Sequence, residues 1–97
     1  MNETVTIAII PLDIVQADKD SNLRNVASIM QSIDPATDVV VLPELFSTGF
    51  ISDNNLMHTL SESNNGSTMD QIRNMARRYN MAICGTFLAR TGDTYYN

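Results

Sequence analysis

The chain has 97 residues, of which 43% are hydrophobic and 18% charged, and its formal net charge is −5 at pH 7. This composition is typical of a globular domain and differs from that of disordered chains. The chain has eleven acidic and six basic residues, and the basic ones form no stripe along the sequence. We therefore expect no nucleic-acid partner. No apolar run approaches the ~20 residues that a membrane-spanning helix needs, so we expect no membrane association.

Cysteine usage and the start of the chain indicate a cytoplasmic protein. Cys84 is the one cysteine, and residues 1–10 lack the basic start and small-residue cleavage pattern of a secretory signal. We therefore expect a reducing compartment, and we expect the sequons at Asn2 and Asn65 to carry no glycan.

The first half of the chain predicts a strand, a helix and a second strand. Residues 4–10 are β-branched and nearly all apolar, which favours a buried strand. Apolar residues then recur at helical spacing from Leu23 to Ile33, after several possible N-caps, and Pro35 should end this helix. Residues 38–42 form a short apolar run that is typical of a parallel strand covered on both faces.

The second half predicts a loop, another helix and two more strands. Residues 47–66 are polar and read as a loop, with a helical turn at 56–60. A helix should begin near Ser67, where Ser67 and Asp70 have the spacing of a weak capping box. Residues 81–89 predict a third strand, and the turn at 91–93 leads into a return strand over 94–97.

The predicted elements do not close into a complete sheet. Three parallel strands and half a hairpin would leave long unpaired edges, which natural domains rarely tolerate. We therefore expect residues 1–97 to be the N-terminal portion of a larger domain.

Glu44 is the residue whose position most favours a function. It follows the apolar strand and Pro43, at the carboxyl end of a parallel strand, where open α/β folds build their sites. Desolvation there would suit a carboxylate to proton transfer, whereas a carboxylate in open solvent far from any cavity would count against this role. The residues alone leave open a general base, a metal ligand or a glycosidase acid, and the last would need a second carboxylate, for which Asp13 is the candidate.

A resemblance to a known family narrows these alternatives. Residues 40–50, Val-Val-Leu-Pro-Glu-Leu-Phe-Ser-Thr-Gly-Phe, resemble the glutamate motif of the nitrilase superfamily, the carbon–nitrogen hydrolases. Other segments resemble the same family in order along the chain: the opening strand with Asp13-Ile14, Asn22-Leu23, Cys84-Gly85-Thr86-Phe87 and Tyr95-Tyr96-Asn97. The variant Pro-Glu-Leu-Phe-Ser-Thr-Gly-Phe is most similar to the bacterial omega-amidase-like branch, which hydrolyses side-chain amides of 2-oxo acid amides.

The resemblance implies a fold, a mechanism and partners. The fold would be the N-terminal part of an α-β-β-α sandwich, in a homodimer or larger homo-oligomer, with a small-molecule amide as substrate and neither cofactor nor metal. The family's catalytic set is Glu, Lys and Cys, of which Glu44 is the glutamate. Its lysine and its nucleophilic cysteine would lie beyond Asn97.

The remaining chemistry-bearing residues match no family role. Lys19 lies in the wrong segment, Cys84 is expected to fill space in a buried strand, and His58 is expected to be solvated. Phe46 and Phe50 lie within the motif; we expect at least one of them to fill the core and Phe50 to contact substrate. The alternative from another class is a truncated, non-catalytic fragment that acts as a binding module.

Overall fold

The structure is a computed structural model that describes residues 3–97, so the Asn2 sequon lies outside the described residues. Its elements confirm a mixed α/β fold. The helices are α1 (Lys19–Met30), α2 (Asn54–Leu60) and α3 (Ser67–Tyr79). The strands are β1 (Ile7–Ile9), β2 (Val39–Val41), β3 (Ala82–Cys84), β4 (Ala89–Thr91) and β5 (Thr94–Tyr96). Within residues 3–97 no helix is both long and apolar enough to cross a membrane.

The parallel sheet has the order β1-β2-β3, and its two faces differ. Helices α1 and α3 cover the face of Val40, which is completely buried. The opposite face carries Ile9, Val41 and Cys84 side by side, because these residues are level in the sheet register and side chains alternate along a strand. This face is open, and Ile9 is 77% exposed. The prediction of a buried first strand is therefore wrong, since helices cover only one face.

Helix α1 supplies the core beneath β2. Asp18 is its N-cap, and hydrogen bonds from the backbone and then the side chain of Ser21 lower the pKa of Asp18. Leu23, Val26 and Met30 pack into the core as the periodicity predicts. The helix ends at Met30, about a turn before the predicted stop, and Ile33 packs against the core from the following segment.

The polar segment between β2 and α3 contains a short helix. The helical turn predicted at 56–60 is longer in the structure, where it forms α2. Its N-cap Asp53 accepts a hydrogen bond from the Leu56 N–H. Helix α3 begins at Ser67 as predicted, but Ser67 is not the N-cap. Gly66 takes that position without a side-chain bond, and Glu62 accepts the hydrogen bond from the Thr68 N–H instead.

The third predicted strand is split. Strand β3 pairs with β2 and ends at Cys84, whereas residues 89–91 form β4, which pairs with β5 in an antiparallel hairpin. Residues 85–88 lie between the two strands and belong to neither. The prediction from the apolar run at 81–89 missed this break, because the break depends on a change of pairing partner that local composition does not encode. The turn and return strand are confirmed, with Gly92 at φ 59°.

Candidate active site around Glu44

Glu44 opens a turn at the carboxyl end of the central strand. Leu42 continues the pairing beyond β2 by donating its N–H to the Cys84 carbonyl, and Pro43 then ends the ladder because it has no N–H. Leu45 follows with φ 51°, the left-handed conformation that costs a residue with a Cβ on the order of 1–3 kcal/mol. This turn sends Leu45 and Phe46 into the protein and directs Glu44 outward.

Thr86 holds the strained turn from one side. Its side-chain oxygen accepts a hydrogen bond from the Leu45 N–H at 2.9 Å, and its carbonyl accepts one from the Phe46 N–H at 3.2 Å. The Leu45 carbonyl in turn accepts from the Gly49 N–H at 2.8 Å, with Gly49 at φ 70°. Thr86, two residues after the end of β3, therefore fixes the backbone of the residue next to Glu44.

Asn22 holds the same turn from the other side. Its amide is completely buried and makes three hydrogen bonds of 2.8 Å: it accepts from the Val15 N–H and donates to the carbonyls of Val15 and Ser47. It thereby joins the loop after β1 to the turn after β2. Sequence reasoning missed this function of Asn22. The available signal was its spacing, four residues before Val26 and eight before Met30, which places it on the apolar face of α1.

The carboxylate of Glu44 is exposed, so the prediction of a buried acid is wrong. The outward direction of Glu44 in the turn is the physical reason. Its Oε2 accepts a hydrogen bond of 2.7 Å from the side-chain amide of Asn97, although Glu44 itself lines neither of the cavities beside that residue. Asn97 itself lines two cavities.

The first of these cavities has a volume of about 240 Å³ and is largely apolar. It is lined by Leu45, Gly49, Phe50, Ile51, Met57, Leu88, Tyr95, Tyr96 and Asn97. The second, of about 220 Å³, lies beside Thr86 and shares Tyr96 and Asn97 with the first. Phe50 stands at the first cavity with 78% of its surface exposed, whereas Phe46 is buried in the core, as we expected for one of the two.

Lys19 and Glu62 form an ion pair that sequence reasoning did not foresee. Lys19 Nζ lies 3.0 Å from Glu62 Oε2 and also donates to the Leu60 carbonyl. The Glu62 carboxylate accepts from both the N–H and the hydroxyl of Thr68. Burial works to raise the pKa of Glu62, but the hydrogen bonds from Thr68 and Lys19 outweigh it and lower that pKa. Lys19 thus anchors the segment that precedes α3.

Cys84 and His58 lie outside the turn. Cys84 is exposed on the open sheet face, which corrects its expected place in a buried strand. His58 is exposed as predicted and contacts the guanidinium of Arg90 at 2.8 Å and the hydroxyl of Tyr95 at 3.1 Å. Among residues 3–97, no three His, Cys, Asp or Glu side chains come together in a group that could hold a metal ion.

Residues 6–97 match the family model of the carbon–nitrogen hydrolases. The chain belongs to this family. Two solved structures support the assignment. XC1258 from Xanthomonas campestris, a CN-hydrolase superfamily protein with an arsenic adduct in its active site, is 27% identical over 94% of this chain, with a TM-score of 0.83. Nit3 from Saccharomyces cerevisiae, a member of branch 10 of the nitrilase superfamily, is 25% identical over 96%, with a TM-score of 0.81.

The chain spans about a third of the length of these hydrolase structures, 33% of XC1258 and 37% of Nit3. No curated protein matched it significantly by sequence. The comparisons confirm the family and a fragment of the carbon–nitrogen hydrolase fold. They give no support to the glycosidase alternative with Asp13, and the omega-amidase-like branch stays a prediction.

Proposed function

We propose that this chain is the N-terminal portion of an enzyme that hydrolyses the carbon–nitrogen bond of a small-molecule amide, with Glu44 as its general base. The observation that carries the proposal is the placement of Glu44. It stands directly after the central parallel strand, in a turn that Thr86 and Asn22 hold from two sides. Membership of the carbon–nitrogen hydrolases supplies the reaction class.

The proposed chemistry proceeds in two steps, as the family resemblance implies. A cysteine thiol passes its proton to Glu44 while its sulfur attacks the amide carbonyl, and a lysine stabilises the resulting oxyanion. The carbon–nitrogen bond then breaks, ammonia leaves with the proton from Glu44, and a thioester remains. Water adds to the thioester with its proton passing to Glu44; the acid is released, and the thiol recovers its proton. As the resemblance implies, the lysine and the cysteine would lie beyond Asn97.

The open features of the chain are consistent with a site that further residues complete. The exposed Glu44 and the apolar sheet face of Ile9, Val41 and Cys84 are surfaces that the second sheet of an α-β-β-α sandwich would cover. The chain's coverage of about a third of two solved hydrolases supports this view. We also propose that the enzyme forms a homodimer or larger homo-oligomer and that it is located in the cytoplasm.

We further propose that the substrate is a side-chain amide of a 2-oxo acid. The support is the similarity of residues 43–50 to the omega-amidase-like branch, together with the small, largely apolar cavity where Phe50 stands. This cavity, of about 240 Å³, offers apolar side chains for the short carbon chain of such a substrate. Phe50 would contact the apolar part of the substrate.

The protein encoded by the natural reading frame should release ammonia from a 2-oxo acid ω-amide. The matched controls are the corresponding ω-nitrile, which keeps the 2-oxo acid and the small size but lacks the amide carbonyl, and a peptide amide, which keeps the amide carbonyl but lacks both the 2-oxo acid and the small size. We expect the ω-amide to give the highest kcat/KM of the three. Ammonia release from the nitrile alone would contradict the substrate proposal, and release from none would contradict the function.

A further inference from the structure

Asn97 lies where the β4–β5 hairpin meets the Glu44 turn. Its Nδ2 donates to Glu44 Oε2 at 2.7 Å, which is short for a nitrogen donor and typical of a bond to a charged acceptor. Among residues 3–97, Asn97 is the one hydrogen-bond partner that the structure gives to this carboxylate. Asn97 also lines both cavities beside the turn, so the contact occurs at the edge of the candidate substrate space.

The rest of the turn fixes the backbone but leaves the Glu44 side chain free. Thr86 accepts hydrogen bonds from the N–H groups of Leu45 and Phe46, which follow Glu44. Asn22 donates to the Ser47 carbonyl. None of these bonds restrains the three side-chain torsions of an exposed glutamate. Ordering such a side chain costs free energy, which the bond from Asn97 can offset.

Asn97 is itself presented by ordered backbone. It follows β5 directly, and the hairpin register places Tyr96 opposite Ala89. The other edge of β4 pairs with Glu62, whose N–H donates to the Leu88 carbonyl and whose carbonyl accepts from the Arg90 N–H. The position of the Asn97 amide therefore depends on main-chain pairing rather than on neighbouring surface side chains.

We propose that Asn97 is a positioning residue for Glu44, an inference that rests on the proposed function. Its amide holds Oε2 and thereby leaves Oε1 free to accept the thiol proton and later return it to the departing nitrogen. An amide suits this task because its NH₂ group only donates and carries no charge that would compete for the proton. Asparagine at this position thus orients the base without neutralising it.

The test replaces Asn97 in the protein encoded by the natural reading frame. Asn97→Ala removes the donor, and we expect kcat for ammonia release to fall about 10-fold to 100-fold, because a hydrogen bond to a charged group is lost. KM and the thermal midpoint should stay close to those of the parent. Asn97→Asp should lose more, because a second carboxylate repels Glu44. Asn74→Ala, an exposed asparagine on α3, is the matched control and should leave kcat unchanged.

The outcomes separate this inference from the function on which it rests. A kcat of Asn97→Ala within twofold of the parent, or an effect on KM alone, would overturn the positioning role if Glu44→Gln is inactive. Full activity of Glu44→Gln would instead overturn the proposed function.

A spectroscopic measurement tests the contact independently of turnover. The side-chain amide protons of Asn97 should shift upfield in the NMR spectrum of Glu44→Ala relative to the parent, while those of Asn74 stay in place. Identical Asn97 resonances in the two proteins would show that the contact is absent and overturn the inference.

Discussion

The amide of Asn22 shows how a single buried side chain can fix the position of a site. It makes three hydrogen bonds to backbone groups, two at Val15 and one at Ser47, from within helix α1. The strained Leu45 persists next to Glu44 because such bonds over-determine the turn. The backbone position of the candidate base is therefore set by residues that do not touch its carboxylate.

Replacing this amide should destabilise the protein. Asn22→Ala leaves the Val15 N–H and the buried Ser47 carbonyl without their hydrogen-bond partner, and we expect the free energy of unfolding to fall by about 2–3 kcal/mol. Urea denaturation measures the change. Asn25→Ala, on the exposed side of the same helix, is the matched control and should change it by no more than about 0.5 kcal/mol. Equal stabilities of the two variants would refute the role given to Asn22.

At the scale of elements, the Glu62 carboxylate joins the starts of two helices. It pairs with Lys19 at the start of α1 and caps α3 through Thr68, while its backbone pairs with β4. The side chains of Lys19 and Glu62 are 24% and 13% exposed, so this pair is shielded enough to contribute more than a surface ion pair. The segment between β2 and α3 is thereby held on the core.

The lowered pKa of Glu62 gives this junction a pH dependence with a definite sign. Because the pKa of Glu62 is lower in the folded protein than in the unfolded chain, its contribution is fully present above the unfolded-state value. The contribution is lost as the pH falls through the folded-state value. Above that window, Glu62→Gln should lower the free energy of unfolding by about 1–3 kcal/mol.

Denaturation between pH 7 and pH 3 measures this prediction. The difference in stability between the parent and Glu62→Gln should shrink toward low pH, whereas Glu3→Gln, at an exposed position near the start of the chain, should follow the parent throughout. A difference that stays constant from pH 7 to pH 3 would show that Glu62 does not stabilise the fold through its charge.

The junction also shows where prediction from sequence ends. Strand β2 and helix α3 were predictable, because an apolar run between breakers and a helical period are local signals. The bond from Glu62 to Thr68 and the split between β3 and β4 depend on pairing partners that local composition does not name. Glu44 was found through its place after an apolar strand, but its exposure follows from the left-handed Leu45, which no residue preference indicates.

At the scale of the whole molecule, one face of the parallel sheet and the carboxylate of Glu44 are exposed. Ile9 and Cys84 lie exposed on a face whose apolar character is that of a core, and the chain matches about a third of two solved hydrolases. Both features fit the proposal of a domain in which a second sheet would cover the first and bring the nucleophile to Glu44. The second sheet would then complete both the active site at Glu44 and the hydrophobic core between the two sheets.

The most direct test of this account is the rate of ammonia release by Glu44→Gln in the protein encoded by the natural reading frame. Glutamine keeps the size of the side chain but cannot take up the thiol proton, so kcat should fall about 100-fold to 10,000-fold, the usual contribution of general acid–base catalysis. Glu3→Gln is the matched control and should keep the parental kcat. A Glu44→Gln protein that folds and releases ammonia at the parental rate would contradict the account.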